Sequence, residues 1–148
     1  MRLTAFSDYA LRVLIYLALR QEGLTTIGEI ASAYGIPENH LMKVVHHLGQ
    51  QGYVKTIRGK GGGIRLARAP TQIIVGEVLR STEGSPPFVE CFDPHTSNCR
   101  IQAACRLHLI LRRALDAMFE VLDQHTLSDL LEPGHSLTRI LFTVPPRA

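Results

Sequence analysis

Along the first third of the chain, apolar residues recur every three or four positions in three runs, each ended by a breaker. Residues 7–20 carry Leu11, Leu14, Ile15, Ala18 and Leu19 at helical spacing. Ser7 is placed to cap this helix, Asp8 suits the positive end of its dipole, and Gly23 closes it. A second helix opens at Thr26, with Ile27, Ile30 and Ala31 on one face and Glu29 three residues past the cap, which completes a capping box. The break Tyr34-Gly35-Ile36-Pro37 follows, where Gly35 can take positive φ and Pro37 can begin the next helix. That third helix, residues 37–50, turns Leu41, Val44, Val45 and Leu48 inward and leaves Glu38, Asn39, His40 and Lys43 outward near its N-terminal end. Two helices about a tight turn predict a helix-turn-helix. Side chains at the start of its second helix are the ones that reach base edges in a major groove.

The period then changes. Residues 53–57 and 64–67 are short extended runs joined by Arg58-Gly59-Lys60-Gly61-Gly62-Gly63, which predicts a hairpin with Arg58 and Lys60 at a basic tip suited to phosphates. A helix-turn-helix followed by such a hairpin is a winged helix. The glycine run is not a nucleotide phosphate loop, because no Lys-Ser or Lys-Thr pair leads from it into a helix. A short helix over 75–82 leads to the Gly84-Ser85-Pro86-Pro87 break and an irregular loop. From 105 to 124 a longer helix carries Leu107, Ile110, Leu111, Ala114, Leu115, Met118, Val121 and Leu122 in one stripe. That surface needs cover, either from a second subunit, the more economical choice, or from its own domain. Thr126 opens a last short helix over 127–131, stopped by Pro133-Gly134, and the tail through Pro145-Pro146-Arg147-Ala148 reads as poorly ordered.

Composition adds few constraints: 148 residues, 45% apolar and 20% charged, fit one soluble core with an appendage. No apolar run spans a bilayer, so no membrane partner is expected. Charge is more informative in its distribution than in its net of +3. Lys55, Arg58, Lys60, Arg65 and Arg68 fall between residues 52 and 70 without an acid, whereas residues 114–132 hold Asp116, Glu120, Asp123, Asp129 and Glu132 without a Lys or Arg. The basic segment suits a polyanion and the acidic one does not.

The three cysteines change the picture most. Cys91, Cys99 and Cys105 lie within one 15-residue stretch, CFDPHTSNCRIQAAC. An odd number cannot close into intramolecular disulfides and no export leader is evident, so reduced thiols in a cytoplasm are the expectation. The C-x7-C-x5-C spacing lacks the close pairs of structural zinc sites and favours an iron-sulfur cluster, whose separate irons need wider gaps. Unconnected thiols, a redox switch and a zinc site remain the alternatives. Three thiolates leave one iron of a four-iron cluster without a protein sulfur. No nucleophile and base are paired for catalysis, and His40, His46, His47, His125 and His135 are scattered, so an enzyme is not expected.

The segments MRLTAFSDYALR, NHLMKVVHHLGQQGYVKTIRGKGGGIRL and the cysteine loop running into ACRL closely resemble the nitric-oxide-sensing NsrR repressors. These form part of a winged-helix family that also holds the cluster-assembly regulator IscR and the rhizobial iron regulator RirA. The resemblance runs from residue 1 to about 133. It implies a homodimer with crossed long helices, binding to double-stranded operator DNA that depends on cluster state, and one 4Fe-4S cluster per subunit, with 2Fe-2S possible. It further implies that Cys91, Cys99 and Cys105 are ligands together with an aspartate near the N-terminus of the partner subunit, a position that Asp8 matches. A carboxylate is a harder and more labile ligand for iron than thiolate, which would leave one iron open to a diatomic molecule. His108 stands three residues after Cys105, a spacing like that by which a histidine completes the cluster in IscR, and is the alternative fourth ligand. His95 is a weaker candidate. The seven-residue gap after Cys91 is shared with RirA-like sequences, so iron responsiveness is a second regulatory reading, and an electron-transfer or cluster-carrier protein is the reading from another class.

The expected organisation is therefore mainly α: a winged helix-turn-helix with a small β-hairpin over 1–83 and a cluster loop over 84–104. A dimerisation helix with a short helix after it spans 105–132, and a tail occupies 133–148.

Overall fold

The computed structural model describes residues 3–20, 22–84, 88–93, 95, 97–132 and 134–142. Six helices, α1 (Ala5–Leu19), α2 (Ile27–Tyr34), α3 (Glu38–Gln50), α4 (Val75–Glu83), α5 (Arg106–Asp123) and α6 (Gly134–Phe142), accompany a hairpin of β1 (Val54–Ile57) and β2 (Gly63–Leu66). Their periodicity explains the core. Ala10, Val13, Leu14 and Leu17 of α1, Ile30 of α2, Leu41, Val44, Val45 and Leu48 of α3, and Val78 of α4 are buried together. Each of the valine, leucine and isoleucine side chains among them contributes about 1.5–3 kcal/mol when fully withdrawn from water.

Local signals hold at α2, where Thr26 and Glu29 form the reciprocal capping box and Gly35 ends the helix at φ 65°. They fail at α1. Its cap is Thr4, whose Oγ1 accepts from the Ser7 N–H at 3.2 Å, while Ser7 lies one turn inside and is fully buried. The reason is tertiary: Glu83, at the end of α4, accepts from both the Thr4 N–H (2.9 Å) and its hydroxyl (3.2 Å), which pins the helix start there.

The hairpin is antiparallel, pairing Val54 with Leu66, Lys55 with Arg65, Thr56 with Ile64 and Ile57 with Gly63. Gly59 turns its tip at φ 102°. The linker before α2 adds a rung that the sequence pattern did not show, with Thr25 and Ile64 exchanging backbone hydrogen bonds of 3.0 and 2.8 Å.

After α5 the chain returns to the body. Leu127 N–H donates to Ile73 O (2.8 Å), Val75 N–H donates to His125 O (2.9 Å), and Leu127 enters the core. The expected short helix there is a 3-10 turn over Asp129–Leu131. The expected tail needs correction: residues 134–142 are helical. Leu141 and Phe142 pack against the core, and the Phe142 ring lies 4.8 Å from that of Tyr16. Pro145, Pro146, Arg147 and Ala148 lie outside the described residues, as do Ser85, Pro86 and Pro87 of the break before the loop. Among the described residues no helix is long and apolar enough to cross a membrane.

Candidate nucleic-acid interface and cysteine loop

Helix α3 sits on the body by its buried stripe, which leaves Glu38, Asn39, His40 and Lys43 exposed at its N-terminal end. Asn39 Oδ1 accepts from the His40 N–H at 3.0 Å, and the His40 ring stacks on Tyr9 of α1 at 6.3 Å. His47, further along, meets Phe6 of α1 edge-on at 5.4 Å. The start of α1 therefore touches the recognition helix at two places. Met42 was not singled out as a surface residue, yet it is 57% exposed beside Lys43 and offers an apolar contact of the kind that reads a thymine methyl. Its position one turn after Glu38 was the available signal.

In the wing, Lys55, Arg58, Lys60 and Arg65 are all exposed. Arg68 is not free to join them. Its Nε donates to Gly52 O (3.0 Å), its Nη2 to Gln51 O (3.1 Å), and its guanidinium lies 5.0 Å over the Tyr53 ring, so it caps the end of α3.

The cysteine loop is built differently, from 3-10 turns over Glu90–Phe92 and Gln102–Ala104 tied by polar side chains. Gln102 Nε2 donates to Cys91 O (3.1 Å) and its Oε1 accepts from Ser97 Oγ (2.8 Å), while Glu90 accepts from the Asn98 N–H (2.7 Å). Cys91, Cys99 and Cys105 are free and half-buried, and Cys105 is the residue from which α5 starts. His108 Nδ1 stands 3.3 Å from Cys91 Sγ, and Phe92 is held between the His108 ring (5.3 Å) and the Arg112 guanidinium (4.2 Å). His95 is exposed and donates its N–H to Asp93 Oδ1.

Asp8 lies on the first turn of α1, where its carboxylate pairs with Arg12 at 2.8 Å and stays 46% exposed. Arg12 also lies 5.8 Å over the Tyr34 ring, whose hydroxyl is pushed up to about 12 by burial. Within one chain the predicted ligands are not gathered: among the described residues no three His, Cys, Asp or Glu side chains lie close enough to hold a metal ion.

Helix α5 leaves the body exposed, with no buried residue. Leu107, Ile110 and Val121 are 59%, 62% and 57% exposed, and Leu109, outside the predicted stripe, is exposed too. Its first turns touch the cysteine loop, and its C-terminal end is anchored on α4. There Arg80 of α4 bonds Asp123 with both arms of its guanidinium (2.7 and 2.6 Å) and lies 4.4 Å over Phe119. These bonds hold the Asp123 carboxyl below the usual aspartate range.

Comparison with known proteins agrees with this geometry. The chain is 49% identical over 142 residues to the HTH-type transcriptional regulator NsrR of Geobacillus kaustophilus, covering 95% of this chain and 97% of that protein. The same regulator of Bacillus subtilis is likewise 49% identical over 142 residues, with the same coverage of both chains. Among solved structures, T. potens IscR superposes with a TM-score of 0.74 at 28% identity, over 93% of this chain and 90% of that one. The winged helix, its recognition helix and its basic hairpin are thus those of DNA-binding transcriptional regulators rather than of enzymes. With residues 3–133 matching the family model described as an iron-dependent transcriptional regulator, the chain belongs to the Rrf2 family.

Proposed function

We propose that this regulator is a cytoplasmic, nitric-oxide-sensitive repressor that binds double-stranded operator DNA as a homodimer. The observation that carries the reading is the placement of all three free thiols, half-buried, on one loop between the winged body and α5. They suit an iron-sulfur cluster in kind, since three soft donors on short irregular turns can wrap a cluster and none is committed to the core. Cys91, Cys99 and Cys105 would hold one 4Fe-4S cluster per subunit, with Asp8 of the partner subunit as fourth ligand, and the cluster would supply irons able to bind nitric oxide. The exposure of the Asp8 carboxylate leaves it reachable from outside its own subunit. The apolar stripe on α5 supports pairing of two subunits.

Asp8 then links the loop to DNA. Phe6 and Tyr9, on the same turn of α1, lie against His47 and His40 of α3. A carboxylate held from outside steadies that turn, and its release loosens the support of the recognition helix. Base reading falls to Glu38, Asn39, His40 and Lys43, and phosphate contact to Arg58 and Lys60.

A second reading rests on a specific contact: His108 lies beside Cys91 in its own subunit, as an intramolecular fourth ligand would, and this favours a regulator of iron supply or cluster status. One experiment separates the two. Operator affinity of anaerobically purified protein is measured with and without nitric oxide and after iron withdrawal, in wild type, Asp8→Ala and His108→Ala. The first reading expects nitric oxide to release DNA, Asp8→Ala to alter the cluster spectrum and abolish that response, and His108→Ala to preserve both. A silent Asp8→Ala with a changed spectrum in His108→Ala would establish the second.

A further inference from the structure

At the root of the wing, the end of α1, strand β2 and the turn before α6 border an open-sided cavity of about 440 Å³. Leu17, Leu66 and Leu131 give it apolar walls, Arg20, Arg65 and Arg68 bring three guanidinium groups to it, and among the described residues no carboxylate lines it. Two of the cations are engaged. Arg20 pairs with Glu29 at 3.4 Å and lies over Phe142, and Arg68 is bonded to the backbone of Gln51 and Gly52. Arg65 has no ion pair or hydrogen bond through its side chain among the described residues. In the hairpin register it stands directly opposite Lys55, a placement in which like charges oppose strand pairing. An anion at the cavity mouth would relieve that repulsion. A DNA phosphate would meet the charge but leave the leucines uncovered, whereas a concave site that sets three leucines beside three arginines matches a small ligand with one charged end.

We propose that this cavity binds a small organic anion, a carboxylate or phosphate on an apolar body, with Arg65 as its principal charge partner and Leu17, Leu66 and Leu131 around the body. The walls come from α1, the wing and the segment leading to α6. Occupancy therefore fixes the wing against the body and alters operator affinity through an input separate from the cysteine loop. The proposal does not depend on the cluster.

The test is an NMR titration of the full-length protein with hexanoate and with hexyl phosphate, which place two headgroups on one tail. Hexan-1-ol serves as the uncharged control and inorganic phosphate as the tailless one. Expected are saturable shifts at the amides of Leu17, Gly23, Arg65 and Leu66 with the tighter of the two anions, which identifies the headgroup. Each control should bind at least about tenfold more weakly, and Arg65→Ala should weaken the anion about tenfold. Operator affinity should also change when the tighter anion saturates the wild type. Arg65 is exposed, so its replacement leaves the core intact. No saturable shift, equal binding by inorganic phosphate, no change in Arg65→Ala, or operator affinity indifferent to saturation would each overturn the proposal. So would absence of anion binding combined with a lower salt dependence of DNA binding in Arg65→Ala, which would assign Arg65 to the DNA surface.

Discussion

The winged body and the cysteine loop hold their shape by opposite means. In the body, side chains from α1, α2, α3 and α4 bury one another, and the hairpin is pinned by Thr25 as well as by its own rungs. In the loop, residues 88–93 and 97–105 are all exposed or half-buried, and short polar ties through Gln102, Ser97 and Glu90 take the place of a core. Regions with few buried apolar contacts open at little free-energy cost, and it is from such regions that switching elements are drawn. A rigid body beside a loop with little core suits the sensing role proposed above, because such a loop can change state without unfolding the winged helix.

That contrast can be broken most directly in the core. Leu41→Ala, which deletes a fully buried side chain beneath the recognition helix, should cost about 2–5 kcal/mol in denaturant unfolding and take operator binding with it. A change under 1 kcal/mol would mean that the body is not the rigid partner. Next in size is Gly76→Ala, at the junction of α4 with the end of α5. A Cβ there would run into the Asp123 side chain, so the Arg80 clamp must shift, with a destabilisation of about 1–3 kcal/mol expected from thermal melts.

The wing is sharpened by salt. Lys60→Ala should lower the slope of log affinity against log salt by about one unit on operator and random DNA alike, while Asn39→Ala should reduce operator preference selectively. An unchanged slope would remove the wing tip from the interface. Acid acts on the ties that fasten the ends of the body's helices. Glu29 is held below its ordinary value chiefly by the Thr26 N–H, and Glu83, despite burial that opposes it, by hydrogen bonds from Ser7 and Thr4. Both folded values lie below the unfolded one, so their stabilisation is complete above the ordinary glutamate range near about 4.3 and is lost as pH falls through the lowered values. Glu29→Gln should flatten that part of the profile, and a wild-type curve that is flat there would remove the assigned ties. The smallest effect on folding is expected in the loop. Cys91→Ser, Cys99→Ser and Cys105→Ser should each change the stability of the body by no more than about 0.5 kcal/mol, yet each should abolish stoichiometric iron and sulfide in protein made without oxygen. Stoichiometric zinc instead would overturn the cluster reading.

Legibility in the sequence followed the reach of the interactions. The Thr26–Glu29 box, the Gly35 turn and the outward face of α3 depend on residues within one or two turns, and the pattern showed them in place. Ser7 was misplaced as a cap because the decision lies with Glu83, 79 residues away from Thr4. Helix α6 was hidden by Pro133-Gly134, which reads as a stop, and by a helix whose docking partner, Tyr16, is on α1. Arg68 reads as one more basic wing residue until the carbonyls of Gln51 and Gly52 are seen beneath it. At the cysteine loop the clustering of the three thiols and their order were legible, whereas the approach of His108 to Cys91 depends on how the start of α5 turns back over the Glu90–Phe92 turn.

By itself the sequence determined the helix-turn-helix, the basic hairpin and the clustering of three thiols, since periodicity, turn residues and composition act over short distances along the chain. Tertiary structure alone decided where α1 begins, that α6 closes over α1, which arginine is bonded to the end of α3, and which groups share the cavity beneath the wing. Those outcomes depend on contacts between segments far apart in the chain, where burial and hydrogen bonding outweigh local preference.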